Sequence, residues 1–178
     1  ETILITPSIL DEHLQFSLLE TAQSALQALG IHKGPVHIEL RINNHGNFIL
    51  ECAARSIGGL CSKVLEFSGN MSLEELILRS ALGRNVDEAK LIDKAMGVMM
   101  MPTEKRGVLK EIRGVDAAKN LKGITDLQTI IKPGEMLEPL PNGGRYLGFL
   151  FAEGKDQNTV KKVLKKAWSK ITVVSEKI

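Results

Sequence analysis

Residues Val36 to Ile42 alternate between apolar and polar side chains. A polar turn follows, Asn43-Asn44-His45-Gly46-Asn47, and then a second strand-like run from Phe48 to Cys52. Period-two alternation marks a strand, and a Gly-containing polar turn between two such runs predicts an antiparallel hairpin. Gly46 suits the left-handed position of a three-residue loop. This hairpin constrains the fold more than any other stretch, because its register decides which side chains share a face.

A turn centred on His45 puts Glu39 opposite Glu51, His37 opposite Ala53 and Arg41 opposite Ile49. His37, Glu39 and Arg41 then share one face. Directly opposed acids have Cβ atoms only ~5 Å apart, and their repulsion is destabilising. A divalent cation offsets that repulsion. Mg²⁺ takes oxygen ligands, commonly one or two carboxylates plus substrate phosphates. On geometry alone, two solvated acids on an exposed hairpin face remain the simpler reading.

Arg55 stands four residues beyond Glu51, ahead of Ser56-Ile57-Gly58-Gly59. A guanidinium there can hold a phosphate or carboxylate through two parallel hydrogen bonds. Paired glycines let backbone N–H groups approach an anion. Taken singly, Arg55 reads as a surface arginine before a tight turn. His37 could touch substrate, although a lone histidine is more often structural. Arg41 reads equally well as a phosphate contact or a solvated strand charge.

The rest of the chain alternates helix and strand signals. Residues 8–30 predict an amphipathic helix with Ser8 as its cap, Asp11 and Glu12 in the first turn and a Leu14, Leu18, Ala22, Ala25, Leu29 stripe. Gly30 ends it. A second helix, Ser72 to Leu82, has Ser72 and Glu75 as a capping box and stops at Gly83. Beyond Ile92 the predicted strands are Ala95–Met101, Gly107–Ile112, Thr125–Ile131 and Arg145–Phe151, with a short helix at Asp116–Leu121. An amphipathic helix, Gln157 to Lys170, and a last strand, Thr172 to Val174, close the chain. The methionines at 96, 99, 100 and 101 read as core. The whole predicts two α+β units, residues 1–90 and 91–178.

Bulk properties exclude several classes of function. A net charge of +2 argues against nucleic acid or membrane as the main partner. The lysines at 155, 161, 162, 165, 166 and 170 read as the solvated face of the last helix. Cys52 and Cys61 are the only cysteines, too few for a disulfide framework or a four-thiolate zinc site. They read as reduced thiols in a cytoplasmic protein. No apolar run approaches the ~20 residues of a membrane span. The chain opens on Glu1 with residues 1–6 already strand-like, which reads as a cut through a longer protein.

The combined string resembles the carboxyl-terminal metal-binding hairpin of the ATP-grasp superfamily. The residues that carry the likeness are Ala28-Leu29-Gly30, Gly34 to Arg41, Phe48 to Arg55 and Gly58-Gly59. Gly107-Val108-Leu109, Lys132-Pro133-Gly134, Arg145 to Gly148 and Ala152-Glu153-Gly154 resemble the domain that follows ATP-grasp in carboxylate–amine ligases, above all the bacterial L-amino acid ligase (dipeptide synthetase) branch.

The resemblance implies the carboxyl-terminal half of an ATP-grasp domain, an antiparallel sheet with helices, followed by a small α+β ligase domain. It implies Glu39 and Glu51 as ligands of Mg²⁺ or Mn²⁺, with ATP as cosubstrate. Arg55 would be the catalytic residue holding the transferred phosphoryl group, with Gly58 and Gly59 lining its pocket. The partners it implies are a small-molecule carboxylate and amine, an amino-terminal half of the same protein and a homodimer mate. The family's usual asparagine after the second glutamate is here Ala53, which cannot coordinate. Two rival readings stay open: a carboxylase-like or purine-biosynthetic ATP-grasp enzyme, and a non-catalytic binding or assembly module using the basic helix.

Overall fold

The computed structural model describes residues 2–177. In chain order the elements are β1 (Ile3–Thr6), α1 (Glu12–Ala28), β2 (His37–Asn43), β3 (Gly46–Ala53), a 3-10 turn (Cys61–Val64), β4 (Glu66–Phe67), β5 (Met71–Ser72) and α2 (Leu73–Ala81). Then follow β6 (Ala95–Met101), β7 (Gly107–Arg113), α3 (Val115–Lys119), β8 (Ile124–Thr129), β9 (Met136–Leu137), β10 (Gly148–Gly154), α4 (Gln157–Trp168) and β11 (Thr172–Glu176). This is a mixed α+β chain of small antiparallel sheets and few helices, as the sequence predicts. Among the described residues no helix is long and apolar enough to cross a membrane.

The chain divides into two compact units, Ser8–Ile92 and a second made of Glu1–Pro7 with Asp93–Ile178. A contiguous division at residue 90 therefore misplaces the first strand. β1 pairs antiparallel with β6, Ile3 opposite Met99 and Thr6 opposite Met96. Its backbone edge is satisfied some ninety residues downstream, which no local pattern encodes. Glu1, the first residue of that predicted strand, lies outside the described residues.

In the Ser8–Ile92 unit, α1 begins later than predicted. Asp11, not Ser8, is the N-cap: its Oδ1 accepts from Leu14 N at 2.9 Å. Ser8 Oγ accepts from Leu10 N in a local turn instead. Both residue types cap well, and the three-residue spacing to a free helical N–H decides between them. At α2 the predicted cap is observed, with Ser72 Oγ accepting from Glu75 N at 3.2 Å.

The hairpin departs from its predicted turn in an instructive way. Asn43 pairs with Gly46, so the loop holds only Asn44 and His45. Asn43 Oδ1 accepts from His45 N at 2.8 Å, an Asx turn that tightens it. A register shift between Glu39 and Leu40 then leaves Leu50 as an extra residue on β3. Such a bulge sets two residues against one. The shorter loop and the bulge cancel, so Glu39 still faces Glu51 and His37 still faces Ala53. Between bulge and turn the register differs: Arg41 faces Phe48, not Ile49.

One face of the hairpin packs on α1. Ile38, Leu40 and Ile42 are half-buried while Glu39 and Arg41 are exposed. Asn47 Nδ2 donates to Ser17 Oγ at 2.9 Å and to Thr21 Oγ1 at 3.1 Å, tying β3 to the helix. The acid face is thereby turned to solvent.

In the other unit, β1-β6-β10-β8 form one sheet and β11-β7-β9 another. The core includes Met99, Met101, Leu109, Leu150, Val160 and Leu164. Met96 and Met100 are half-buried, while Val98 between them on the same face is fully buried. Gly97 has no side chain because α4 lies over it: an added Cβ would stand 2.7 Å from Val160 Cγ1. On α4, Val160, Leu164 and Ala167 are buried and Lys161, Lys162, Lys165 and Lys166 are exposed, so the lysines form the solvated face. β10 starts at Gly148 rather than Arg145. Arg145 is drawn instead to Glu135, Nη1 to Oε1 at 3.1 Å.

Candidate active site

The cross-strand pair Glu39 and Glu51 stands on the solvent face of the hairpin. Both carboxylates are half-exposed, and each has one oxygen engaged by a basic neighbour. His37 Nε2 lies 3.2 Å from Glu39 Oε1. Arg55 Nη2 lies 3.5 Å from Glu51 Oε1. The second oxygen of each carboxylate has no protein partner among the described residues.

Arg55 follows the end of β3, where its N–H donates to Ala53 O at 2.8 Å and turns the chain. Its Nη1 donates to Ser56 O at 3.0 Å, which holds the guanidinium over the loop. A Cβ on Gly58 would sit 3.8 Å from that Nη1, ordinary contact. The bare backbone of Gly58 leaves the flank of the guanidinium open. Gly59 adopts φ +62°, a left-handed conformation that favours glycine.

The structure therefore gathers His37, Glu39, Glu51, Arg55 and Gly58. Arg41 shares the face of Glu39 but stands across from Phe48, so an aromatic ring borders this end of the acid face. Pattern reading missed that neighbour, and also Asn47, which orients the whole hairpin. An uninterrupted apolar run such as Phe48-Ile49-Leu50 carries no mark of a bulge.

The donor set suits a hard divalent cation bound partly by its substrate. Two carboxylate oxygens from adjacent strands are open. Among the described residues no group of three His, Cys, Asp or Glu side chains converges to hold an ion. Protein ligation by two carboxylates, completed by phosphate oxygens and water, is the usual pattern for Mg²⁺. Ala53, opposite His37, contributes no ligand.

Residues 1–64 match the family model of the ATP-grasp domain, and residues 99–176 match that of the L-amino acid ligase C-terminal domain 2. Over these two stretches the chain resembles the carboxyl-terminal portion of ATP-grasp carboxylate–amine ligases.

Among individual proteins, it is 27% identical over 149 residues to the L-arginine-specific L-amino acid ligase of Bacillus subtilis, covering 83% of this chain and 36% of that protein. Its fold superposes on the L-amino acid ligase of Bacillus licheniformis with a TM-score of 0.85 at 22% identity, over 99% of this chain and 44% of that one. Phosphoribosylglycinamide synthetase from Anaerococcus prevotii shares the fold with a TM-score of 0.77 at 16% identity, over 98% and 45% of the two chains. The chain spans about a third of the length of the curated relatives it matches.

Proposed function

We propose that this chain forms the metal- and phosphate-binding wall of an ATP-dependent, ADP-forming carboxylate–amine ligase. The observation that carries the reading is the direct pairing of Glu39 with Glu51, with Arg55 beside the second acid. The match of the second unit to the L-amino acid ligase domain favours amino acids or similar molecules as the acid and the amine.

In this reading a carboxylate oxygen of the acid substrate attacks the γ-phosphorus of ATP, and ADP leaves. The product is an acyl phosphate. The amine nitrogen then attacks the acyl carbon, phosphate leaves and an amide forms. A bound Mg²⁺ or Mn²⁺ would neutralise charge developing on the phosphates. Glu39 and Glu51 would hold it through their open oxygens. Arg55, released from Glu51, would bind the transferred phosphoryl oxygens. Gly58 and Gly59 would border them, and His37 would orient Glu39 through its existing contact.

The two units are proposed to work with nucleotide-binding elements of an amino-terminal half, in the cytoplasm. Residues 1–178 alone are then expected to bind ATP weakly. Micromolar ATP affinity of this chain in calorimetry would overturn that part.

The main test is amide formation by the polypeptide that carries these units, assayed with Mg²⁺, ATP and a panel of L-amino acids. Dipeptide mass and phosphate release are the readouts. Arg55→Ala and Glu51→Gln are expected to lower turnover about 10²- to 10³-fold, the usual cost of removing a group that stabilises transition-state charge. Unchanged turnover in both variants would sink the assignment.

A further inference from the structure

The unit made of residues 1–7 and 93–178 contains a cavity of about 320 Å³ that the proposed ligase site does not use. Leu137 and Leu147, both fully buried, line it together with Ile171 and the half-buried Trp168. Glu104 and Lys105 line it from the segment joining β6 to β7. The next residue, Arg106, is already paired with Glu138 at 3.0 Å. Glu104 and Lys105 have no ion-pair partner among the described residues.

Size narrows the ligand. Small-molecule sites run from about 300 to 1,000 Å³, so this one is at the small end. At ~30 Å³ per water it has room for about ten waters, or one molecule of roughly ten to fifteen non-hydrogen atoms. A nucleotide is too large.

Charge narrows it further. The leucines and the indole in the lining call for an apolar body. A simple carboxylate ligand would meet Lys105 but be repelled by Glu104, and a simple amine would suffer the reverse. A molecule carrying an ammonium and a carboxylate on one carbon satisfies both. We propose that this cavity binds a free α-amino acid with an aromatic or branched apolar side chain. The side chain lies against Trp168 and Leu147, the ammonium faces Glu104 and the carboxylate faces Lys105.

Trp168 is the only tryptophan in the chain, so its emission reports directly on occupancy. Titration of the full chain with L-phenylalanine, which has no indole, is expected to give a saturable change with a midpoint of about 1 mM, a strength suited to so small a ligand. Glu104→Gln and Lys105→Met, both at exposed positions, are each expected to weaken binding about fivefold or more with an unchanged circular dichroism spectrum.

Ligand variants complete the test. N-acetyl-L-phenylalanine and L-phenylalaninamide should bind more weakly to the wild type. The acetylated ligand should lose nothing further in Glu104→Gln, nor the amide in Lys105→Met, as a coupled pair requires. Absence of saturation by about 20 mM, unchanged midpoints in both variants, or equal binding of benzyl alcohol would overturn the proposal. The titration involves none of Glu39, Glu51 and Arg55, so its outcome is independent of the ligase reading.

Discussion

Glu39 and Glu51 are direct cross-strand partners, and each has one carboxylate oxygen engaged by a basic neighbour, His37 at 3.2 Å and Arg55 at 3.5 Å. Repulsion between opposed like charges costs about 0.2–1 kcal/mol. Glu39→Gln is therefore expected to be neutral or to stabilise the chain by up to about 1 kcal/mol without divalent metal. In Mn²⁺ the order should reverse, with the wild type gaining stability against urea and the variant not. Urea denaturation with and without Mn²⁺ reads both. Equal metal responses in the two proteins would remove Glu39 from the ligand set.

Asn47 holds the hairpin to α1 through two hydrogen bonds from a single Nδ2. Asn47→Ala should destabilise the Ser8–Ile92 unit by about 1–2 kcal/mol, since Ser17 and Thr21 each lose a partner. Hydrogen exchange at the β2 and β3 amides should quicken accordingly. Unchanged exchange there would show that the apolar contacts of Ile38, Leu40 and Ile42 suffice.

Gly97 lies under α4 with no space for a methyl group: its Cβ would stand 2.7 Å from Val160 Cγ1 and 3.1 Å from Leu4 O. Gly97→Ala should cost about 1–3 kcal/mol, as overpacking of a core generally does. Val160→Ala opens space at the nearest contact, so the double variant should be less destabilised than the sum of the singles. Strict additivity in denaturant unfolding would refute this account of the glycine.

Asp156 caps α4, its Oδ1 accepting from Thr159 N at 2.7 Å. That backbone hydrogen bond, helped by the Thr159 hydroxyl and by Lys155 and Lys162, holds the carboxyl below its ordinary value. A carboxyl depressed in the folded state contributes stability that is present above its unfolded pKa of about 3.9 and lost as pH falls through the lower folded value. Asp156→Asn keeps a capping acceptor but cannot titrate. It should flatten the acid limb of the stability–pH curve below about pH 4. An unchanged acid limb, followed by α4 circular dichroism, would assign the acid sensitivity elsewhere. Glu135, lowered first by Lys132 N–H and next by Arg145, is the group to test then.

The hairpin was legible because alternation and turn chemistry act over only a few residues. The register at the two acids matches the expectation although the loop is one residue shorter than expected. The bulge at Leu50 restores what the shorter loop removes. Closer to the turn nothing compensates, and Arg41 meets Phe48. Helix starts show the same limit: Ser8 and Asp11 are equally good caps by composition, and only the geometry of the first turn separates them. The strand at Ile3–Thr6 was legible as a strand, but its partner was not.

By itself, the sequence determined the kinds of elements and the approximate ends of most of them, whereas the opposition of Glu39 to Glu51 also needed the bulge at Leu50. Kinds and ends follow from local steric preference and from side-chain period, which neighbouring residues impose on one another. Tertiary structure alone decided that β1 completes a sheet with β6, that Asn47 turns the acid face outward, and that Glu104 and Lys105 line a cavity with Trp168. Each of these depends on groups distant in the chain competing for the same backbone edge or apolar surface. The outcome of that competition is set by the whole packed unit, and no short segment contains it.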